Sequence, residues 1–213
     1  MENVLITGGT SGIGYALARI FAANKYNIII VSSHYENLRI TQKKLQEEFP
    51  VTITVFEQDL SQIGAAEKLY AKIKAEKIVV DILVNNAGYG LIGPTEQIDL
   101  HDDEKMMILN MLSLVELCKL FLPDMYEKHH GKILNVSSTG AFQPGPYTST
   151  YFASKAFVLS YSKAARFEAQ KHGVQVCTLC PGTTKTNFFI REGTETPKIS
   201  MSAEEVAKYT YQQ

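Results

Sequence analysis

Tyr151 and Lys155 stand four residues apart in TSTYFASKAF, thirteen residues after Ser138. If the segment is helical, that spacing puts a phenol and an ammonium on one face. Such a pair, downstream of a strand-end serine and a glycine loop of dinucleotide type, is a proton donor placed beside a hydride source. Spacing alone does not carry this reading, because Tyr70 and Lys74 repeat it. Context separates the two pairs. Tyr151 follows an apolar strand ending in Ser137-Ser138 and begins a small-residue helix, whereas Tyr70 lies in the polar–apolar alternation of a surface helix.

The glycine loop is TGGTSGIG, residues 7–14. It follows an apolar strand and opens a helix. Gly8, Gly12 and Gly14 would permit a tight turn, close approach of the backbone to a pyrophosphate, and packing of helix on sheet. Thr10, Ser11 and Ile13 complete the loop, whose helix N-terminus would present unpaired N–H groups to phosphate. No Gly-Lys-Ser/Thr follows, which excludes a nucleotide-hydrolysing P-loop.

These residues need a scaffold, and the chain describes one. Strands are expected at 3–7, 27–32, 51–56, 79–86, 132–137 and 174–180, most of them continuously apolar as in a parallel sheet buried on both faces. Helical patterns occupy about 12–24, 35–48, 61–75, 102–129 and 149–172, with a further helix start at Ser202, whose capping box is closed by Glu205. Strand–helix alternation implies right-handed βαβ units. The fold class is α/β, a three-layer doubly wound parallel sheet of Rossmann type, in a single domain over 1–213.

Composition excludes several alternatives. The 213 residues are 45% hydrophobic and 20% charged with a net charge of −1, ordinary for a soluble domain. Neither a basic stripe nor a basic aromatic face points to nucleic acid. No uninterrupted apolar run approaches the roughly 18 residues that cross a bilayer. The first strand starts within three residues, leaving no space for a signal peptide. A cytoplasmic protein without membrane or nucleic-acid partners is expected. Cys118, Cys177 and Cys180 suit a reducing compartment. Cys177 and Cys180 imitate a C-x-x-C motif, but they fall in a strand expected to be buried and point to opposite faces, so packing is their expected role. His101 with Asp102 and Asp103 lacks metal-ligand spacing and reads as a helix start, and His129 and His130 as a helix C-terminus. No metal is expected. Asn135-Val136-Ser137 matches a glycosylation sequon but lies inside a strand.

TGGTSGIG, NNAG (85–88), Asn110, the set Ser138/Tyr151/Lys155 and PGTTKT (181–186), in that order, resemble the commonest single-domain branch of the short-chain dehydrogenase/reductase family. The resemblance covers residues 1 to about 190. It implies interconversion of a carbonyl compound and its alcohol by hydride transfer, with Tyr151 as general acid or base. Lys155 would lower the phenol's pKa from about 10 and hold the nicotinamide ribose. Ser138, rather than Ser137, would bind the substrate oxygen. Asn110 would kink its helix and hold a water that relays protons to Lys155. Asn86, Ala87 and Gly88 would wall the cofactor, and Asp59 and Leu60 would meet its adenine. Pro181 and Gly182, also at the cofactor, would close the sixth strand so that the Thr184 main chain and Thr186 hydroxyl fix carboxamide and pyrophosphate. Asn85 would be structural.

The end of the second strand decides the cofactor. Ser32 and Ser33 stand where an acid selects NAD, with His34 beside them, so NADP(H) is expected over NAD(H). Ser11 replaces the basic residue often found before the second loop glycine. The loops 89–94, 139–148 and 183–200 would line the substrate pocket beyond the strand C-termini. Leu91, Thr139, Phe142, Tyr147, Phe188 and Phe189 would make it fit a small, neutral, apolar carbonyl or alcohol, since neither Lys185 nor Arg191 is expected to point inward. A homodimer or homotetramer through the helices near 102–129 and 149–172 is expected. The chain stops mid-helix, without the seventh strand usual in the family. The rival readings are a non-catalytic dinucleotide-binding redox regulator, and an epimerase or dehydratase on the same scaffold.

Overall fold

The structure is a computed structural model, and it describes residues 1–186 and 200–212. Six parallel strands form one sheet in the order β3-β2-β1-β4-β5-β6. They are β1 (Asn3–Thr7), β2 (Asn27–Ser32), β3 (Ile53–Glu57), β4 (Ile82–Asn85), β5 (Gly131–Val136) and β6 (Val174–Leu179). Val4 pairs with Ile28 on one side and Ile82 on the other, so apolar rows run across the sheet. Strands proceed outward from β1 to β3, and the chain then crosses back to start again at β4. At that reversal the helices leave in opposite directions, opening a crevice beyond the carboxyl ends of β1 and β4.

Two cores hold the layers. On one face Leu17, Ile28, Ile30, Leu38, Leu45 and Val84 pack beneath α1 (Gly12–Ala23) and α2 (Tyr35–Glu48). On the other, Ile29, Leu69, Ile73, Phe121 and Val158 pack beneath α3 (Ala65–Ala75), α5 (Ser113–Glu127) and α6 (Ser149–Gln170). Each such side chain contributes about 1.5–3 kcal/mol relative to exposure.

The structure changes several expectations. The helix expected at 102–129 is a run of three pieces: α4 (Leu100–Met107), a π turn (Ile108–Leu112) and α5. Asp99 caps α4 by accepting from the His101 amide at 2.8 Å, so His101 does sit at a helix start. This run, 100–127, is by length and composition long and apolar enough to cross a bilayer, although Glu116 and Lys119 interrupt its apolar stretch. Met106, Leu114, Leu117, Phe121 and Met125 on it are core residues. Helix α3 begins at Ala65 rather than 61, behind Gly64 in the left-handed region (φ 75°).

Strand β6 is not buried on both faces. Val174 and Val176 are buried, but Gln175 and Cys177 are exposed, because β6 is the last strand of the described sheet. Beyond it, β7 (Thr184–Lys185) pairs with β8 (Met201–Ser202), and α7 (Ala203–Tyr211) packs on α1, with Tyr211 edge-on to Phe21 at 5.3 Å. The capping box at Ser202 and Glu205 is present. Phe188, Phe189 and Arg191 lie outside the described residues.

Candidate active site

The loop after β1 is built for close approach. Gly8 (φ 66°) and Gly12 (φ 53°) take left-handed conformations that side chains disfavour. A Cβ at Gly14 would lie 2.5 Å from both Gly8 O and Asn86 Nδ2, so packing rather than dihedral angle demands this glycine. Ser11, the N-cap of α1, makes no side-chain cap. The first amides of α1 therefore point into the cleft without that partner, the arrangement an anionic pyrophosphate would satisfy.

The wall beside this loop is tied to it. Thr7 Oγ1 accepts from the amides of Asn86 and Ala87, each at 3.0 Å, and Asn86 Nδ2 donates to Thr7 O at 2.9 Å. Asn85 is buried and donates to Asn135 Oδ1 at 2.9 Å, a structural bond between β4 and β5.

An open cleft of about 1210 Å³ runs along the carboxyl edge of the sheet. At one end it is lined by Ser32, Ser33 and His34 after β2, and by Asp59 and Leu60 after β3. Ser33 Oγ is 2.9 Å from His34 Nδ1. Among the described residues Asp59 is the one carboxylate lining the cleft, and it accepts from both amide and hydroxyl of Ser61. Gly8, Thr10, Ser11, Gly12 and Ile13 face Asn86, Ala87 and Gly88 across the middle. At the far end stand Ser138, Thr139, Tyr151 and Lys155, closed over by Pro181, Gly182, Thr184 and Thr186. The Thr186 methyl lies 3.0 Å from a Cβ built on Gly12, which brings the last loop against the first.

At that end Lys155 Nζ sits 5.7 Å from the Tyr151 ring centroid and donates to Val136 O at 3.0 Å. Lys155 is only 5% exposed, and burial pushes its pKa down to about 8, with Cys180 acting weakly the other way. The two serines differ. Ser137 is buried and donates to Lys155 O at 2.7 Å, pinning α6 to the end of β5. Ser138 is half-buried in the cleft, its hydroxyl accepting from the Gly140 amide at 3.1 Å. Asn110 does not line the cleft; it lies behind it, 1% exposed, in the π turn. Its side chain accepts from the Tyr89 amide (3.2 Å) and donates to Tyr89 O (2.9 Å) and Ser154 Oγ (3.1 Å).

A glycine-lined anion cradle, a buried lysine beside a tyrosine and a cleft-facing serine thus share one crevice. The family model for short chain dehydrogenases matches residues 2–196. The chain belongs to that family. It is 33% identical over 180 residues to the NADP-dependent 3-hydroxy acid dehydrogenase of Escherichia coli, covering 84% of this chain and 71% of that protein. A similar identity, 33% over 183 residues, links it to the very-long-chain 3-oxoacyl-CoA reductase of Anas platyrhynchos, across 83% of this chain and 58% of the relative. In fold it is similar to a short-chain dehydrogenase from Sphingobium yanoikuyae in complex with NADPH, with TM-score 0.94 and 28% identity, over 100% of this chain and 84% of the other. The bulky-bulky ketone specific alcohol dehydrogenase from Comamonas testosteroni matches at TM-score 0.89 and 27% identity, over 100% and 82%.

In this dehydrogenase some of the expected pocket residues sit elsewhere. Leu91, Phe142 and Tyr147 do not line the cleft, and Phe142 and Tyr147 are 66% and 64% exposed. Their place is taken by Phe152. Cβ atoms at Gly140 and Gly145 would come within 3.2 Å and 2.4 Å of its ring, so the loop before α6 wraps around Phe152 and turns its own aromatics outward. Tyr89, Ile92, Gln143 and Thr148 also line this end, and Asn37 the opposite one. Tyr89, Ile92, Gln143 and Thr148 lie in the loops 89–94 and 139–148 expected to line the pocket, though none was singled out; Phe152 and Asn37 were not expected there. Phe152 and Tyr89 carried a usable signal, since each directly follows a motif residue.

Proposed function

We propose that this dehydrogenase uses NADP(H) to interconvert a small neutral ketone or aldehyde and its alcohol, with Tyr151 exchanging the proton. The cleft has room and chemistry for a dinucleotide: left-handed glycines, uncapped helix amides and a backbone wall. The bound nicotinamide supplies or takes the hydride. Ser138 offers its hydroxyl to the carbonyl oxygen, where negative charge develops during reduction. Tyr151 donates its proton to that oxygen, and the Lys155 ammonium favours release of the proton. Both Nδ2 hydrogens of Asn110 are taken by Tyr89 O and Ser154 Oγ, so a relay water toward Lys155 would donate to its Oδ1 or be held by the main chain of the π turn.

The observation that carries the reading is the buried Lys155 beside Tyr151, in a cleft whose one carboxylate among the described residues, Asp59, lies at the other end. NADP(H) is favoured because Ser32, Ser33 and His34, at and just after the end of β2, offer no acid to repel a 2′-phosphate, and because the Escherichia coli relative is NADP-dependent and the Sphingobium yanoikuyae neighbour is in complex with NADPH. Around Tyr151 the cleft's described cations reduce to Lys155 itself, which suits a neutral substrate. Leu112, Phe157 and Phe167 are exposed on the π turn and α6, which supports assembly of copies through these helices. A screen of ketones, aldehydes and quinones with NADPH and NADH tests the reading. Turnover is expected with NADPH in excess of NADH; cofactor binding without turnover across the panel would instead indicate a redox-sensing regulator.

A further inference from the structure

Two buried serines on α6 make the same local arrangement, and only one of them touches the site. Ser162 donates to Val158 O at 2.7 Å and accepts from Asn135 Nδ2 at 2.9 Å. Ser154 donates to Tyr151 O at 2.7 Å and accepts from Asn110 Nδ2 at 3.1 Å. Each serine is 1% exposed. Ser162 fastens the middle of α6 to the sheet. Ser154 leads elsewhere: through Asn110 to both main-chain groups of Tyr89, immediately after the Asn86-Ala87-Gly88 wall.

Hydrogen-bond directions in this second chain follow from chemistry alone. The Tyr89 amide can only donate, so it must face Asn110 Oδ1, which turns the two Nδ2 hydrogens toward Tyr89 O and Ser154 Oγ. Ser154 then accepts from Asn110, leaving its own proton for Tyr151 O. Every side-chain donor is used once. Removing the Ser154 hydroxyl would orphan one buried amide hydrogen of Asn110, at a cost that favours rotation of the amide or entry of water.

We propose that Ser154 is a positioning residue of the reaction, setting the Tyr151 main chain against the Tyr89 side of the cofactor wall through Asn110. Proton donor and hydride face belong to different elements, α6 and the β4 loop, and their relative placement controls the reaction more steeply than it controls binding. A displacement of about 1 Å between reacting groups can cost on the order of 100-fold in rate. This rests on the assignment of Tyr151 given above.

The test compares Ser154→Ala with Ser162→Ala, a matched loss of one buried hydroxyl on the same helix, with Tyr151→Phe alongside. Steady-state kinetics use NADPH and the panel carbonyl that the unaltered enzyme reduces fastest. Ser154→Ala is expected to lower kcat about 10- to 100-fold while KM for NADPH moves less than about threefold. Amide hydrogen exchange over residues 86–92 should rise in Ser154→Ala and not in Ser162→Ala. Ser162→Ala should lose thermal stability to a similar degree and keep its kcat. If Ser154→Ala does not fold, Ser154→Cys keeps the volume and a weaker bond, and kcat should be intermediate. Parental kcat in Ser154→Ala or Ser154→Cys, or an equal kcat loss in Ser162→Ala, overturns the proposal. Full turnover by Tyr151→Phe would instead remove the assignment beneath it.

Discussion

Tyr70/Lys74 and Tyr151/Lys155 share spacing and, in the folded chain, share a distance: each Nζ lies 5.7 Å from its tyrosine ring centroid. What differs is the third party. Asp124 accepts from the Tyr70 hydroxyl at 3.1 Å and from Lys74 Nζ at 3.0 Å. Burial and the Asp124 carboxylate raise the Tyr70 pKa, and the Asp124 hydrogen bond raises that of half-exposed Lys74. Each group is held in its protonated form. Among the described residues no carboxylate pairs with Lys155; it is buried against the Val136 carbonyl, and its pKa falls. One pair is a neutralised surface contact. In the other, a charge that burial makes costly stands beside a phenol in a cleft. The geometry of two side chains does not distinguish a site from a surface, but their electrostatic surroundings do.

The largest expected effect breaks the comparison at its centre. Tyr151→Phe should lower kcat on the order of 1000-fold with NADPH affinity retained, the scale of losing a positioned acid, whereas Tyr70→Phe should leave kcat within about twofold, the scale of a surface change. Steady-state kinetics on both variants decide it.

Next is Lys155→Met, expected to lower kcat about 100-fold or more. Its second signature is in stability. With a folded pKa near 8 against an ordinary 10.5, the folded state releases this proton before the unfolded state does. Stability therefore rises with pH between those values, and the cost of the buried charge is fully present below pH 8. Cofactor-free Lys155→Met should exceed the parent at pH 7 by on the order of 3 kcal/mol in urea denaturation, from the size of that shift. The gain should shrink as pH climbs toward 10.5. Equal stabilisation at pH 7 and pH 10.5 would contradict a depressed lysine.

The smallest effect sharpens the contrast from the other side. Asp124→Ala frees Tyr70 and Lys74 from their carboxylate, yet should create no activity in a Tyr151→Phe background. Stability should fall by less than about 1 kcal/mol, as for other exposed ion pairs, measured by thermal denaturation.

Much of the candidate site's arrangement was legible because its parts are local in sequence. A glycine loop between strand and helix, and a Tyr-x-x-x-Lys on a helix, encode their own geometry through helical and strand periodicity. Asn110 was legible only as a residue type; that it sits in a π turn and bonds Tyr89 and Ser154, 21 and 44 residues away, depends on tertiary packing. The apolar end of the pocket was misread for a similar reason. Aromatics at 142 and 147 looked available, but Gly140 and Gly145 let the loop close on Phe152, and the displaced rings went to solvent. Cys177 was expected to be buried because its strand is apolar, and edge position overrode that pattern.

Order of elements, the Tyr151/Lys155 pairing and the left-handed glycine loop were determined by the sequence itself, since each depends on neighbours within a few residues. Which of two equal-spaced pairs would be neutralised was decided by tertiary structure alone. Asp124 lies 54 residues from Tyr70. Only the packing of α5 on α3 brings that carboxylate to one phenol, and only the burial of α6 against β5 strips water from the other pair's ammonium.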